Sequence, residues 1–313
     1  MARGRTLVVG TRGSVLALAQ TESVVARLRL LSPGTEFVIR RIKTTGDHIY
    51  DAALAKIGEK GLFTRELEKA LLEGEIDLAV HSMKDLPTRL PPGLVVAAVP
   101  PREDPCDALV TRGGHKLAEL PPGSVVGTSS LRRQAQLLAC RPDLEVKTIR
   151  GNLDTRLRKL DEGQVDALVV AWAGLARLGL LARVAERLPY DVCLPAVGQG
   201  ALAVEARAGD AGICALLARI DDAPSRAAVL AERAFLRRLE GGCQVPIGGV
   251  ARVEGRSVVL EGMVATLDGR NLVRGRLQGD VTDPEGVGVS LAESLLERGA
   301  CEILAAMRGE CRE

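Results

Sequence analysis

Residues 238–249 read Arg-Leu-Glu-Gly-Gly-Cys-Gln-Val-Pro-Ile-Gly-Gly, which sets Cys243 in a glycine-flanked loop behind a helical segment. Glycine tolerates positive φ and leaves room beside the sulfur, and Pro246 keeps the stretch from relaxing back into helix. A thiol placed there can be exposed and closely approached, which makes it a candidate covalent attachment point. The alternative is the one most cysteines satisfy, a small buried hydrophobe. Cys106, Cys140, Cys193, Cys214, Cys301 and Cys311 are scattered, with no Cys-x-x-Cys pair and no histidine at zinc-ligand spacing. An odd number of thiols and an N-terminus without an export signal point to a reducing, cytoplasmic compartment.

A second chemical signal repeats along the chain. Short β-branched runs are followed by the same residue types: Thr11, Arg12 and Ser14; His81, Ser82, Lys84 and Asp85; Thr128, Ser129, Ser130, Arg132 and Arg133; Arg150 and Asn152; and, further on, Arg177. In open α/β sheets the carboxyl ends of strands face a ligand crevice, where helix N-termini offer unpaired N–H groups. Hydroxyls, guanidinium groups and helix starts on that edge suit an anion. Taken singly, Ser14 and Ser130 also read as helix N-caps, and Arg156 and Arg158 as a solvated helix face. Residues 128–158 nevertheless hold seven basic and three acidic residues in a chain of net charge +2, which fits a ligand bearing several carboxylates or phosphates.

Asp85 stands apart in this basic setting. Nearby positive charge favours its ionised form, so it could stabilise a developing cation or exchange a proton with a ligand nitrogen. Pairing with Lys84, or capping a turn before Pro87, is the competing reading, and the sequence leaves both open. Neither a P-loop nor a Gly-x-Gly-x-x-Gly fingerprint is present. His48, His81 and His115 form neither a metal cluster nor a triad, so no metal is expected.

The elements that must position these groups follow from periodicity. A chain of 313 residues with 46% hydrophobic content exceeds one compact core, so two or three domains are expected. Strand candidates at 6–10, 37–43 and 77–81 alternate with helices at 15–31 and 62–72, the pattern of a parallel α/β sheet. The pattern restarts with strands at 124–127, 145–149 and 165–170 and helices at 130–139, 152–160 and 171–178. Leu194–Ala206 reads as a crossing between the halves. A helix at 225–240, strands at 257–265 and 271–277 and a closing helix at 288–307 suggest a small α+β third part. Three Phe, two Tyr and one Trp are too few for a base-stacking platform, and no apolar run reaches membrane-helix length. No nucleic acid or membrane partner is expected.

Taken together, Thr11-Arg-x-Ser-x-Leu-Ala-Leu, His81-Ser-Met-Lys-Asp-Leu-Pro, Arg102-Glu-Asp-Pro, Gly127-Thr-Ser-Ser-Leu-Arg-Arg-Gln, Arg150-Gly-Asn, Leu194-Pro-Ala-Val-Gly-Gln-Gly and Leu239-Glu-Gly-Gly-Cys-Gln-Val-Pro-Ile-Gly resemble the porphobilinogen deaminase (hydroxymethylbilane synthase) family, in its order and over nearly the whole chain. The resemblance implies two periplasmic-binding-protein-like (type II) α/β domains around a cleft, residues 1–100 with 201–218 and residues 106–194, plus a smaller α+β domain at 223–313. It implies a transferase that joins four porphobilinogen molecules head to tail with loss of ammonia, giving hydroxymethylbilane. The chain would grow on a dipyrromethane cofactor held by a thioether to Cys243, in a monomer.

By the same resemblance, Asp85 would hold pyrrole N–H groups and stabilise the azafulvene-like cation formed when the aminomethyl group departs. Ser82, Lys84, Thr128, Ser129, Ser130, Arg132, Arg133 and Arg150 would hold the cofactor's side chains. Arg12, Ser14, Gln20, Arg156, Arg177 and Gln199 would line the incoming-substrate position. Lys56 and Lys60 match a loop over the cleft, with Phe63 beside it. Two departures are visible: Cys106 stands where many relatives have arginine, and Gly13 and Val15 where they have Gln and Pro. An anion-binding receptor or regulator of the same fold would need no thiol in its cleft, and a thiol redox protein would need a resolving cysteine near Cys243.

Overall fold

A computed structural model describes residues 6–44, 63–239 and 245–308. The chain divides into two compact units, Met1–Glu103 with Ala201–Arg226, and Asp104–Gly200 with Ala227–Glu313. No helix among the described residues is long and apolar enough to cross a membrane.

The first unit contains β1 (Thr6–Arg12), α1 (Val15–Leu31), β2 (Glu36–Ile42), α2 (Arg65–Leu72), β3 (Leu78–Ser82), β4 (Leu94–Ala98), β10 (Leu202–Arg207) and α6 (Ala211–Ala218). Its sheet runs β2-β1-β3-β10-β4, with β1 parallel to β2 and β3 and β10 antiparallel to both its neighbours. The second unit repeats that order with β5 (Asp107–Thr111), β6 (Val125–Gly127), α3 (Leu131–Cys140), β7 (Glu145–Lys147), α4 (Leu153–Asp161), β8 (Ala167–Ala171), α5 (Trp172–Arg177) and β9 (Glu186–Arg187). Here the sheet is β7-β6-β8-β5-β9, and β5 is the antiparallel strand. The sheets are therefore mixed, not purely parallel as the alternating pattern suggests. β5 and β10 are the first strands after the chain passes between units, so each enters its sheet from the opposite direction.

These are the two α/β domains of the expected class, and the α+β part is also present. β11 (Ile247–Glu254), β12 (Ser257–Ala265) and β13 (Leu272–Asp280) form an antiparallel meander packed against α7 (Ala223–Arg238) and α8 (Pro284–Leu295). Phe235, fully buried, fills the space left by Gly262, where a Cβ would stand 2.5 Å from its ring. The closing helix is broken, not continuous. Gly299 takes φ +104, a left-handed conformation that ends one helix before α9 (Cys301–Arg308) begins.

Most of the interior is aliphatic, but the second unit also buries a charged network. Asp107 opens β5 and is 0% exposed; Arg132 and Arg133, in the first turn of α3, are each 5% exposed. Arg132 Nη1 donates to Asp107 Oδ2 at 2.8 Å and to Leu194 O at 2.6 Å. Arg133 Nη2 and Nε donate to Asp107 Oδ1 at 2.6 and 3.1 Å, and its Nη1 to Val169 O at 3.0 Å. Gln199 Nε2 donates to the same Asp107 oxygen at 2.8 Å and to Pro105 O at 2.8 Å. One carboxylate thus ties together β5, the start of α3 and the 194–200 segment. Burial alone would raise the Asp107 carboxyl, but the two guanidinium groups overcome it and hold the carboxyl far below the usual range.

The stabilisation from this depressed value is fully present above the unfolded carboxylate pKa of ~3.9 and is lost as the pH falls below it. Asp107→Asn leaves two buried cations uncompensated, so urea unfolding at neutral pH should show a loss of about 3–5 kcal/mol. The variant should also lose less stability than the wild type below pH ~4. Equal urea midpoints would contradict the assignment.

Candidate functional site

The strands in equivalent positions of the two α/β sheets, β1 and β6, end in the same way. β1 runs into Gly10-Thr11-Arg12 and β6 into Gly127-Thr128-Ser129. At neither glycine is there room for a side chain: a Cβ would meet Ile76 at 2.3 Å in one case and Leu168 at 2.8 Å in the other. The close packing brings the next turn down onto a helix start. Ser14 caps α1 by accepting from Ala17 N at 3.2 Å, and Ser130 caps α3 by accepting from Arg133 N at 3.4 Å. The capping reading of both serines is therefore realised. A capping hydroxyl accepts through oxygen and keeps its O–H proton to donate, so the cap does not preclude an anion ligand.

On the first unit's rim, the β3–β10 ladder extends past β3 through Met83 N to Ala201 O at 3.0 Å. This anchors the 3₁₀ turn Met83–Asp85, in which Met83 is buried while Lys84 and Asp85 are both exposed. No hydrogen bond or ion pair engages the Asp85 carboxylate among the described residues. Ser82 is joined to Gln20, whose Nε2 donates to Ser82 Oγ at 2.9 Å. Gln20 is buried, so its amide serves Ser82 first. The Arg12 guanidinium lies over the Phe63 ring, 4.2 Å from its centroid, which gives the cation a flat apolar support.

On the second unit's rim, Thr128 Oγ1 accepts from Ser130 N at 3.1 Å and Ser129 donates to Ile149 O. Arg150 is half-buried, and its carbonyl accepts from Lys159 Nζ at 3.1 Å. Gly151 takes φ +110, and its carbonyl accepts from Arg156 Nε at 2.8 Å. Arg177 Nη2 donates to Gly200 O at 2.6 Å. This rim gathers Thr128, Ser129 and Ser130 at one helix start and Arg150 and Arg156 at the next.

Three expected ligand contacts are turned inward. Arg132, Arg133 and Gln199 direct donors at Asp107 and at backbone carbonyls in the buried network. Cys243, Lys56 and Lys60 lie outside the described residues. Among described thiols, burial pushes Cys193 up to about 12 and raises Cys106 as well, the opposite of a reactive thiolate. Cys106 occupies the position where arginine was expected and is fully buried, with its N–H donating to Asp104 Oδ1 at 2.9 Å.

Two supporting residues carry no signal as motifs. Asp107 reads as a polar start to an apolar run. Glu232 reads as part of the charged face of α7, yet it is fully buried and accepts from Gly198 N at 2.6 Å and Ala251 N at 2.7 Å, holding the Gly198-Gln199-Gly200 turn. The available clue is a carboxylate at a position that element periodicity assigns to the core.

Comparison with known proteins agrees with this geometry. Residues 7–215 match the family model of the porphobilinogen deaminase dipyromethane cofactor binding domain, and residues 226–297 match that of the porphobilinogen deaminase C-terminal domain. A porphobilinogen deaminase of Desulforudis audaxviator is 64% identical over 97% of this chain and 98% of its own length. One of Pelotomaculum thermopropionicum is 58% identical over 98% and 99%. Among solved structures, the periplasmic VFT2 domain of Bordetella pertussis BvgS is similar at 17% identity and a TM-score of 0.42, covering 70% of this chain and 88% of that one. With both family domains matched in order and such identity over almost its full length, the chain belongs to the porphobilinogen deaminase family.

Proposed function

We propose that this enzyme joins four porphobilinogen molecules head to tail, releasing ammonia at each step, and that Cys243 is the thioether anchor of its dipyrromethane primer. The observation that carries the reading is Asp85, an exposed carboxylate beside an exposed lysine on a turn fixed by the sheet, within the stretch that matches the cofactor-binding domain.

The residues present fit a dipyrromethane. Its acetate and propionate groups call for cationic and hydroxyl donors, and its pyrrole N–H groups call for an acceptor. Lys84, Ser82, Thr128, Ser129, Ser130 and Arg150 supply the donors, and Asp85 is the acceptor. Arg132 and Arg133 serve the same rim from its interior. When bound, the dipyrromethane supplies the nucleophilic pyrrole carbon from which the product is extended.

The remaining chemistry falls to the chain's own groups. Asp85 accepts pyrrole N–H bonds and opposes the positive charge that develops on porphobilinogen's methylene carbon as ammonia departs. Arg12, held flat on Phe63, and Arg156 and Arg177 meet the carboxylates of the incoming porphobilinogen, with Ser14 donating from the α1 cap. Gln20 and Gln199 orient Ser82 and Asp107. In this reading the protein works as a cytoplasmic monomer of three domains, residues 1–100 with 201–218, 106–194 and 223–313.

Intact-mass measurement under denaturing conditions should give the sequence mass plus one dipyrromethane, and the bare sequence mass for Cys243→Ala. An active preparation at the bare mass would refute the tether. Asp85→Asn should keep its fold and its cofactor while kcat falls about 10²–10³-fold, the scale of losing one preorganised electrostatic partner; near-normal turnover would remove Asp85 from the chemistry. Arg150→Leu should forfeit one charge-assisted contact, about 1.5–3 kcal/mol, read as slower cofactor assembly or a KM raised roughly tenfold or more. Unchanged assembly and elongation would argue against its carboxylate role.

A further inference from the structure

Beneath the Asp85 turn the first unit buries an acid–imidazole pair for which the chemistry above has no use. His81, on β3, is 5% exposed and Glu205, on β10, is 0% exposed, and His81 Nε2 lies 3.0 Å from Glu205 Oε2. The strand register pairs His81 with Ala203 and Ala79 with Glu205, so the two side chains are diagonal neighbours on one face of the sheet. α2 packs on that face through Leu67 and Leu71 and brings Glu68, also buried, toward the pair. Burial raises the Glu68 carboxyl, the Thr64 hydroxyl partly opposes this, and the Glu205 charge adds to the rise, favouring the neutral form of Glu68.

A carboxylate without solvent is costly, and breaking a buried pair costs more than replacing it with apolar residues of similar volume. An apolar pair would serve the core as well, so the position of this one is informative. It bridges the same two strands whose ladder continues through Leu202–Ser82 and ends at Met83 N–Ala201 O. Its next step along β3 is Ser82, and the turn with Lys84 and Asp85 follows directly. We infer that Glu205 and His81 are positioning residues for the reaction, a buried carboxylate–imidazole contact across β10 and β3 that fixes where Ser82, Lys84 and Asp85 are presented. The inference rests on the role given to Asp85 above.

Glu205→Gln keeps the shape and removes the charge. Hydrogen exchange followed by mass spectrometry should show amides of residues 82–86 exchanging about tenfold faster, with residues 128–133 unchanged, and kcat should fall about tenfold while KM stays within about twofold. His81→Gln should give the same local pattern. Unchanged exchange, or faster local exchange with unchanged kcat, would overturn the inference. So would exchange raised evenly throughout the first unit, or failure of both variants to fold, since either would make the pair general core support. Asp85→Asn measured alongside keeps the two ideas separable: if it is fully active, the reading of Asp85 fails, whereas the exchange pattern tests the clamp itself.

Discussion

The interaction on which the second unit depends is a carboxylate that water does not reach. Asp107 receives two arginines, a glutamine and the Cys193 thiol, and those donors come from the start of α3 and from the 193–199 segment. Such a network is expensive to desolvate, and the charge-assisted bonds to Asp107 offset that cost, although Arg132 Nε has no hydrogen-bond partner among the described residues. Its return is geometric. With the first turn of α3 bolted to β5, the hydroxyls of Thr128, Ser129 and Ser130 and the adjoining helix N-terminus are presented on a rigid rim. Preorganised donors lose little entropy on meeting a ligand, which is what a site for several carboxylates needs.

The first unit reaches a comparable end by lighter means. Gly10, buried in β1, allows α2 to pack closely, a serine caps the following helix, and an exposed turn carries Lys84 and Asp85. Where the second unit places its arginines inside, the first places an acid and an imidazole there. In both, the groups that meet solvent are few and the groups that hold them are buried.

Much of this was legible from sequence. The α/β alternation, the strand-end clusters and the isolated Asp85 follow from periodicity and residue type, and the motif resemblance carried the family, its activity and the dipyrromethane primer. What stayed hidden was the direction of side chains. The bonds of Arg132 and Arg133 to Asp107, 25 and 26 residues away, are invisible to local pattern. Gln199 and Glu232 are likewise defined by distant contacts. The sheets read as parallel because strand polarity after a crossing depends on the path between units, which local pattern does not encode. The break at Gly299 was missed because one glycine inside an apolar repeat looks tolerable until its φ is known.

The central claim is that the enzyme extends a permanently anchored primer and hands over only what has been added to it. Limiting porphobilinogen, followed by rapid denaturation and intact-mass measurement, tests this most directly. The account predicts a ladder of protein species separated by one porphobilinogen less ammonia, collapsing back to the starting holoenzyme mass as hydroxymethylbilane is released. Product accumulating while the protein shows only its starting mass at every time sampled, or a primer that is itself lost with the product, would contradict it.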